Sequence, residues 1–182
     1  MAIINDKKFL YEDKEILITS PKVEDAENFI EYLLTVAGET EFLLRKPEEF
    51  KITVDKEKEI IKNTIEDENI LFVTAKVGNK IVGNIGFHGG NKFRTKHAGS
   101  FGIAIVKEYW GMGLGKELIS TLLEWTDSKG IKRVELKVDE DNERAIKLYN
   151  KMGFEVEGRL KKEKYIGEGV YKDSLIMARV VD

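Results

Sequence analysis

The sequence predicts a mixed α/β (α+β) fold, and three observations carry that prediction. Apolar residues recur at helical spacing in four segments. Seven short runs, apolar or alternating, read as strands. Three of these strands follow one another mid-chain and two close it. The order is β-α-α-β-β-β-α-β-α-β-β, which calls for a mixed sheet with interrupted winding.

The first strand is Glu-Ile-Leu-Ile-Thr-Ser, residues 15–20. Ser20-Pro-Lys-Val-Glu-Asp then opens a helix, with Pro near its start and acids in its first turn. Phe29, Ile30, Leu33, Leu34 and Ala37 continue it at helical spacing, and Gly38 is its expected end. Residues 39–53 read as irregular, and a second helix runs from about Lys56 to Ile65. Ile70 to Val77 and Lys80 to Phe87 flank Gly78-Asn79, a pair suited to a tight hairpin turn. A polar loop at 89–97 leads to a strand at 98–106. Leu114, Leu118, Leu122 and Trp125 form one helix face, closed by Gly130. Val134, Leu136 and Val138 alternate with Glu135, Lys137 and Asp139, the pattern of a strand. Asn142 to Met152 is a helix stopped by Gly153; strands at about 154–165 and 170–180 follow, split by Gly167 and Gly169. With no linker, repeat or composition break, residues 1–182 read as one domain.

At 42% hydrophobic and 35% charged, with 2 Pro, the chain has the composition of an ordinary globule. Its net charge of −3 argues against a general nucleic-acid binder. The absence of Cys excludes disulfides, thiolate zinc sites and a catalytic thiol. Two histidines, His88 and His97, are too few for a metal site built mainly on imidazole, so no metal is expected. The N-terminus lacks the apolar segment of a signal peptide, and no apolar run reaches the roughly 18 residues of a membrane span. A cytoplasmic protein without membrane contact is the expectation.

Gly-Met-Gly-Leu-Gly-Lys, residues 111–116, joins the strand at 98–106 to the helix that follows. A helix N-terminus presents unpaired N–H groups at the positive end of its dipole, and glycines let that backbone approach a phosphate. A dinucleotide fingerprint would need a third glycine where Lys116 stands. A P-loop would need one more residue before Gly-Lys, and a Ser or Thr where Glu117 stands. On the glycines alone, a purely structural turn stays open. Residues 142–154 carry a second motif, Asn-Glu-Arg-Ala-Ile-Lys-Leu-Tyr-Asn-Lys-Met-Gly-Phe. Ala145, Leu148, Tyr149 and Met152 share one helical face, with Asn142 at the helix start on nearly the same side. Taken alone, Asn142 also reads as an N-cap and Tyr149 as a core tyrosine.

Together the two motifs resemble those of the GNAT (GCN5-related) family of N-acetyltransferases. Tyr-Trp-Gly-Met-Gly-Leu-Gly at 109–115 is similar to the family's pyrophosphate-binding Gln/Arg-x-x-Gly-x-Gly/Ala, with Trp110 standing where Gln or Arg is usual. The Asn-x-x-Ala-x-x-Leu-Tyr-x-x-x-Gly-Phe run matches the second motif, and the resemblance covers about residues 14–180. It implies a mostly antiparallel seven-stranded sheet with about four helices, and acetyl-CoA as co-substrate in a splay between two strands. It places the pantetheine arm along Ile103, Ala104 and Ile105, and the pyrophosphate on Gly111, Met112, Gly113, Leu114, Gly115 and Lys116. Lys116 also reads as a solvated helix residue. Asn142 would bond the pantetheine arm, and Tyr149 would protonate the departing thiolate.

The implied reaction is direct attack of a primary amine on the thioester, without a covalent acyl-enzyme. Candidate bases are His97, His88, Glu41, Asp139 and Asp173; the last alternates with Tyr171, Leu175 and Met177 and reads either as inward-facing or as a hydrogen-bonded structural Asp, and a water chain is the alternative. Glu39 or Glu41 could meet an amine and Arg45 a carboxylate, or this segment is a solvated loop with Phe42 and Leu43 in the core. The tail resembles the branch of bacterial amino-acid and ribosomal-protein acetyltransferases. The expected acceptor is a small amino-acid-like or polyamine amine. A peptide N-terminus, or a non-catalytic acyl-CoA sensor, is the alternative, and a homodimer is left open.

Overall fold

The structure is a computed structural model and describes residues 2–182. Its strands are β1 (Lys7–Tyr11), β2 (Lys14–Thr19), β3 (Ile70–Val77), β4 (Lys80–Gly89), β5 (Ala98–Ile105), β6 (Arg133–Asp139), β7 (Glu155–Gly167) and β8 (Val170–Val180). They form one sheet in the order β1-β2-β3-β4-β5-β6-β8-β7. Every junction is antiparallel except β5–β6. The strand that the sequence did not predict is β1. It is an edge strand, hairpinned to β2, whose Lys7, Lys8 and exposed Leu10 mask its period; only Phe9 reaches the core.

The helices are α1 (Ala26–Glu39), α2 (Val54–Glu66), α3 (Leu114–Ser128) and α4 (Glu143–Lys151). α1 starts later than expected, because a single 3₁₀ turn, Val23–Asp25, precedes it. The Asp25 carboxylate accepts from the Lys22 amide and from Lys76 Nζ, both across the turn's open end. Gly38 lies inside α1, which ends one residue later at Glu39, before the extended Thr40. Its buried stripe is Phe29, Tyr32, Val36 and Ala37; Leu34, expected inside, is exposed. Thr53 caps α2 by accepting from the Lys56 amide.

Side-chain alternation along β3 and β4 sorts the sheet into two packed faces. Phe72 lies against α1, its ring stacked on Phe29 at 6.2 Å. Phe87, one residue beyond Gly86, meets Trp125 of α3 edge-on at 5.8 Å. The α3 face Leu114, Leu118, Leu122 and Trp125 is buried as expected, as are Val134, Leu136 and Val138 of β6. Burying a large aliphatic side chain of this kind stabilises by roughly 2 kcal/mol.

Candidate active site

The parallel junction β5–β6 places the site. Pairing runs only from Ala98–Arg133 to Ser100–Glu135, after which the strands part. β5 continues to Ile105 still paired with β4, so its other edge is open. A cavity of about 290 Å³ fills this opening, walled by Ile103, Ala104 and Ile105, by the glycine turn, and by α4. Val36, Phe42 and Leu43 close it from the α1 side.

Gly111 and Gly113 hold φ of 79° and 82°, a left-handed backbone that costs other residues roughly 1–2 kcal/mol. The amides of Gly111, Met112 and Gly113 donate to no described residue. The first-turn amides of α3, on Leu114, Gly115 and Lys116, extend that row. A Cβ at Gly115 would meet Leu148 Cδ2 at 3.0 Å, so glycine here lets α3 and α4 approach closely. Of the residues that the resemblance assigns to the co-substrate and its thiolate, all line the cavity except Met112. Its side chain turns to pack against the core, leaving only its amide for a ligand. Lys116 is exposed at the rim. Trp110, the departure from the family pattern, donates Nε1 to the Ile105 carbonyl at 2.7 Å. The Arg144 guanidinium lies 3.8 Å from the ring centroid of Trp110, so a cation still borders the turn.

Asn142 is the N-cap of α4: its Oδ1 accepts from the Ala145 amide at 3.3 Å. Its amide nitrogen is left for the cavity. Tyr149 is buried in an aromatic corner, edge-on to Phe101 and Phe154 at 6.1 Å each. Its hydroxyl makes no hydrogen bond to a described residue. Burial pushes its pKa up to about 12, so it holds its proton at neutral pH.

Asn142 and Tyr149 also border a second cleft of about 610 Å³ on the other side of the opening, with Tyr32, Phe72, Asn84 and His88. Tyr32 was not predicted as a site residue. Its hydroxyl donates to the Ala104 carbonyl at 2.8 Å and fixes α1 against the open strand. The periodic stripe through Phe29, Leu33 and Val36 would have placed it on the buried face.

Of the five candidate bases, His88 and Asp139 line this second cleft. Asp139 is buried, with Lys164 Nζ 2.5 Å away, and Lys164 also donates to the Phe42 carbonyl. Glu41 is exposed beside Lys172 at 3.8 Å, and His97 lies off both clefts. Asp173 does not face inward: it pairs with Arg159 at 2.8 Å and accepts from the Lys162 amide, where β7 bulges. Glu39 accepts from the Lys107 amide at 2.7 Å and so secures a turn. Arg45 reaches the second cleft, lying over the Phe50 ring. Among the described residues no group of three acidic, His or Cys side chains could hold a metal, and no helix is long and apolar enough to cross a membrane.

Residues 37–154 match the model of the acetyltransferase (GNAT) family. The chain is 34% identical over 109 residues to the L-amino acid N-acetyltransferase of Escherichia coli, covering 59% of this chain and 67% of that protein. It is 36% identical over 78 residues to the spermidine N(1)-acetyltransferase of the same species, covering 42% of this chain and 41% of that one. A GNAT-family acetyltransferase structure from Streptococcus pneumoniae superposes with a TM-score of 0.87 at 30% identity, covering 92% of this chain and all of that one. Fold, open strand pair, glycine turn and family match agree: the chain belongs to the GNAT family and is an acetyltransferase.

Proposed function

We propose that the protein transfers the acetyl group of acetyl-CoA to a primary amine of a small, amino-acid-like or polyamine acceptor. The observation that carries this reading is the single opening between β5 and β6, onto which the unpaired amides of 111–113 and the free Tyr149 hydroxyl both give. Its residues fit the co-substrate. A row of N–H groups at a helix start suits a pyrophosphate. An unpaired strand edge at 103–105 suits an amide-bearing pantetheine arm, as an added strand would. The similarity to amino-acid and spermidine acetyltransferases supports a small amine.

Acetyl-CoA supplies the acyl group already activated as a thioester. Tyr149 gives its proton to the leaving sulfur. At a pKa of about 12, donation to a hydrated thiolate near 8.5 would run uphill by roughly 5 kcal/mol. The same apolar walls desolvate the thiolate and raise its basicity, which narrows that gap. Asn142 orients the arm through its amide nitrogen, while its oxygen stays on the helix cap. The attacking amine arrives through the second cleft, and its proton leaves by water past His88 and Asp139.

The test is thiol release from acetyl-CoA with amino acids, polyamines and N-terminal peptides. Tyr149→Phe is expected to lower kcat on the preferred amine by about 10²-fold or more, with acetyl-CoA affinity within a few-fold. Undiminished turnover in that variant would remove Tyr149 from the role. Tight acetyl-CoA binding without thiol release on any amine would make the protein a sensor.

A further inference from the structure

A third cavity, also about 610 Å³, opens beneath α1 and α2. It shares Leu33, Arg45, Phe50, Phe72 and Asn84 with the acceptor-side cleft, so the two adjoin across these side chains. At its far wall is Glu57, in the first turns of α2 on the same buried stripe as Ile61 and Thr64. The residue is 3% exposed, and its carboxylate makes no hydrogen bond or ion pair to a described residue. That carboxylate opens onto the cavity rather than into solid core.

Glu57 shares the first turn of α2 with Asp55, where the helix dipole favours a carboxylate, but the exposed Asp55 already meets that preference. The helix stripe would be served by an apolar residue, and burying an unpaired carboxylate is costly. The other acid on this cavity, Glu49, accepts from the Lys46 amide. Lys56 is held by Glu59 at 2.8 Å, and Arg45 lies over Phe50. Among the described residues, Glu57 is thus the carboxylate of this wall without a partner, and it lines a cavity flanked by the rings of Phe29, Phe50 and Phe72. An acid opposite aromatic faces suits an ammonium or another hydrogen-bonding cation.

We propose that Glu57 binds the far ammonium group of a diamine acceptor whose near amine is acetylated beside Tyr149. This rests on the acetyltransferase reading and narrows its substrate class. Burial raises the Glu57 carboxyl above the ordinary carboxylate value, and an arriving cation would relieve that cost. Glu57 does not act on the reacting atoms; its part is selection of the acceptor. No covalent step is added to the transfer already described.

The experiment measures thiol release by the full chain with acetyl-CoA, using linear diamines of graded length against n-alkylamines of the same lengths. For the best diamine, kcat/KM is expected to exceed that of the matched monoamine by about 10-fold or more, the size of one charged hydrogen bond. Glu57→Gln keeps the side-chain shape and is expected to collapse that ratio towards one. Because it also removes a buried charge, its Tm at neutral pH should be no lower than that of the parent, which separates lost selection from lost folding. Equal use of diamines and monoamines by the parent, or an unchanged ratio in Glu57→Gln, overturns the inference. So does acetyl-CoA binding without turnover of any diamine. Failure to bind acetyl-CoA at all would overturn the acetyltransferase reading instead.

Discussion

At Gly113 two demands meet in one residue. Its φ of 82° is a conformation that side chains resist, and its amide belongs to the row facing the cavity. Gly113→Glu should therefore place both backbone strain and a negative charge where the pyrophosphate is proposed to sit. Titration calorimetry is expected to show acetyl-CoA binding lost, by about 10²-fold or more in affinity; normal affinity would remove the phosphate role from this turn. Gly111, Gly113, Asn142 and Tyr149 were legible in the sequence because their meaning is local: a turn, a cap, a helical face. Tyr32 and Glu57 were not. Tyr32 acquires its role from a carbonyl 72 residues away, and Glu57 from the walls of a cavity built by α1, β3 and the loop before α2. Asp173 shows the converse: alternation with Leu175 and Met177 suggests an inward side chain, but opposite the bulged part of β7 it pairs with Arg159.

Among the elements, the β7–β8 hairpin does more than finish the sheet. From β7, Lys164 reaches both the buried Asp139 at the end of β6 and the carbonyl of Phe42 in the loop after α1. It thus ties together two walls of the acceptor-side cleft. Lys164→Met would leave Asp139 buried without its cation, and should cost about 3 kcal/mol of stability in denaturant titration. If the loss is under about 0.5 kcal/mol, the pair behaves as a surface bridge and the tie is unimportant. Helices and central strands were legible because their periods are strong. The edge strand β1 was not, since one face meets solvent and its lysines and exposed Leu10 erase the alternation. The late start of α1 was hidden for a related reason: proline and acids mark a helix opening equally well when the first turn is 3₁₀.

On the scale of the molecule, the sheet is two antiparallel blocks, β1–β5 and β6–β8, joined edge to edge by three residue pairs. Each block is stitched internally along most of its strands. The order of the elements in sequence announced a mixed sheet; where the two blocks part could be read only from the pairing register. Hydrogen exchange should reflect this division: amides of β3 and β4 are expected to be the slowest, and those of β6 faster by about 10-fold or more. Uniform protection across all eight strands would contradict it. The narrow seam also has a thermodynamic consequence. A ligand lodged between the blocks acts as mortar, so its concentration sets how far they unfold as one body. If acetyl-CoA occupies the proposed site, saturating it should bring the exchange rates of the two blocks together, and the cooperativity of the fold would then follow the supply of acyl donor.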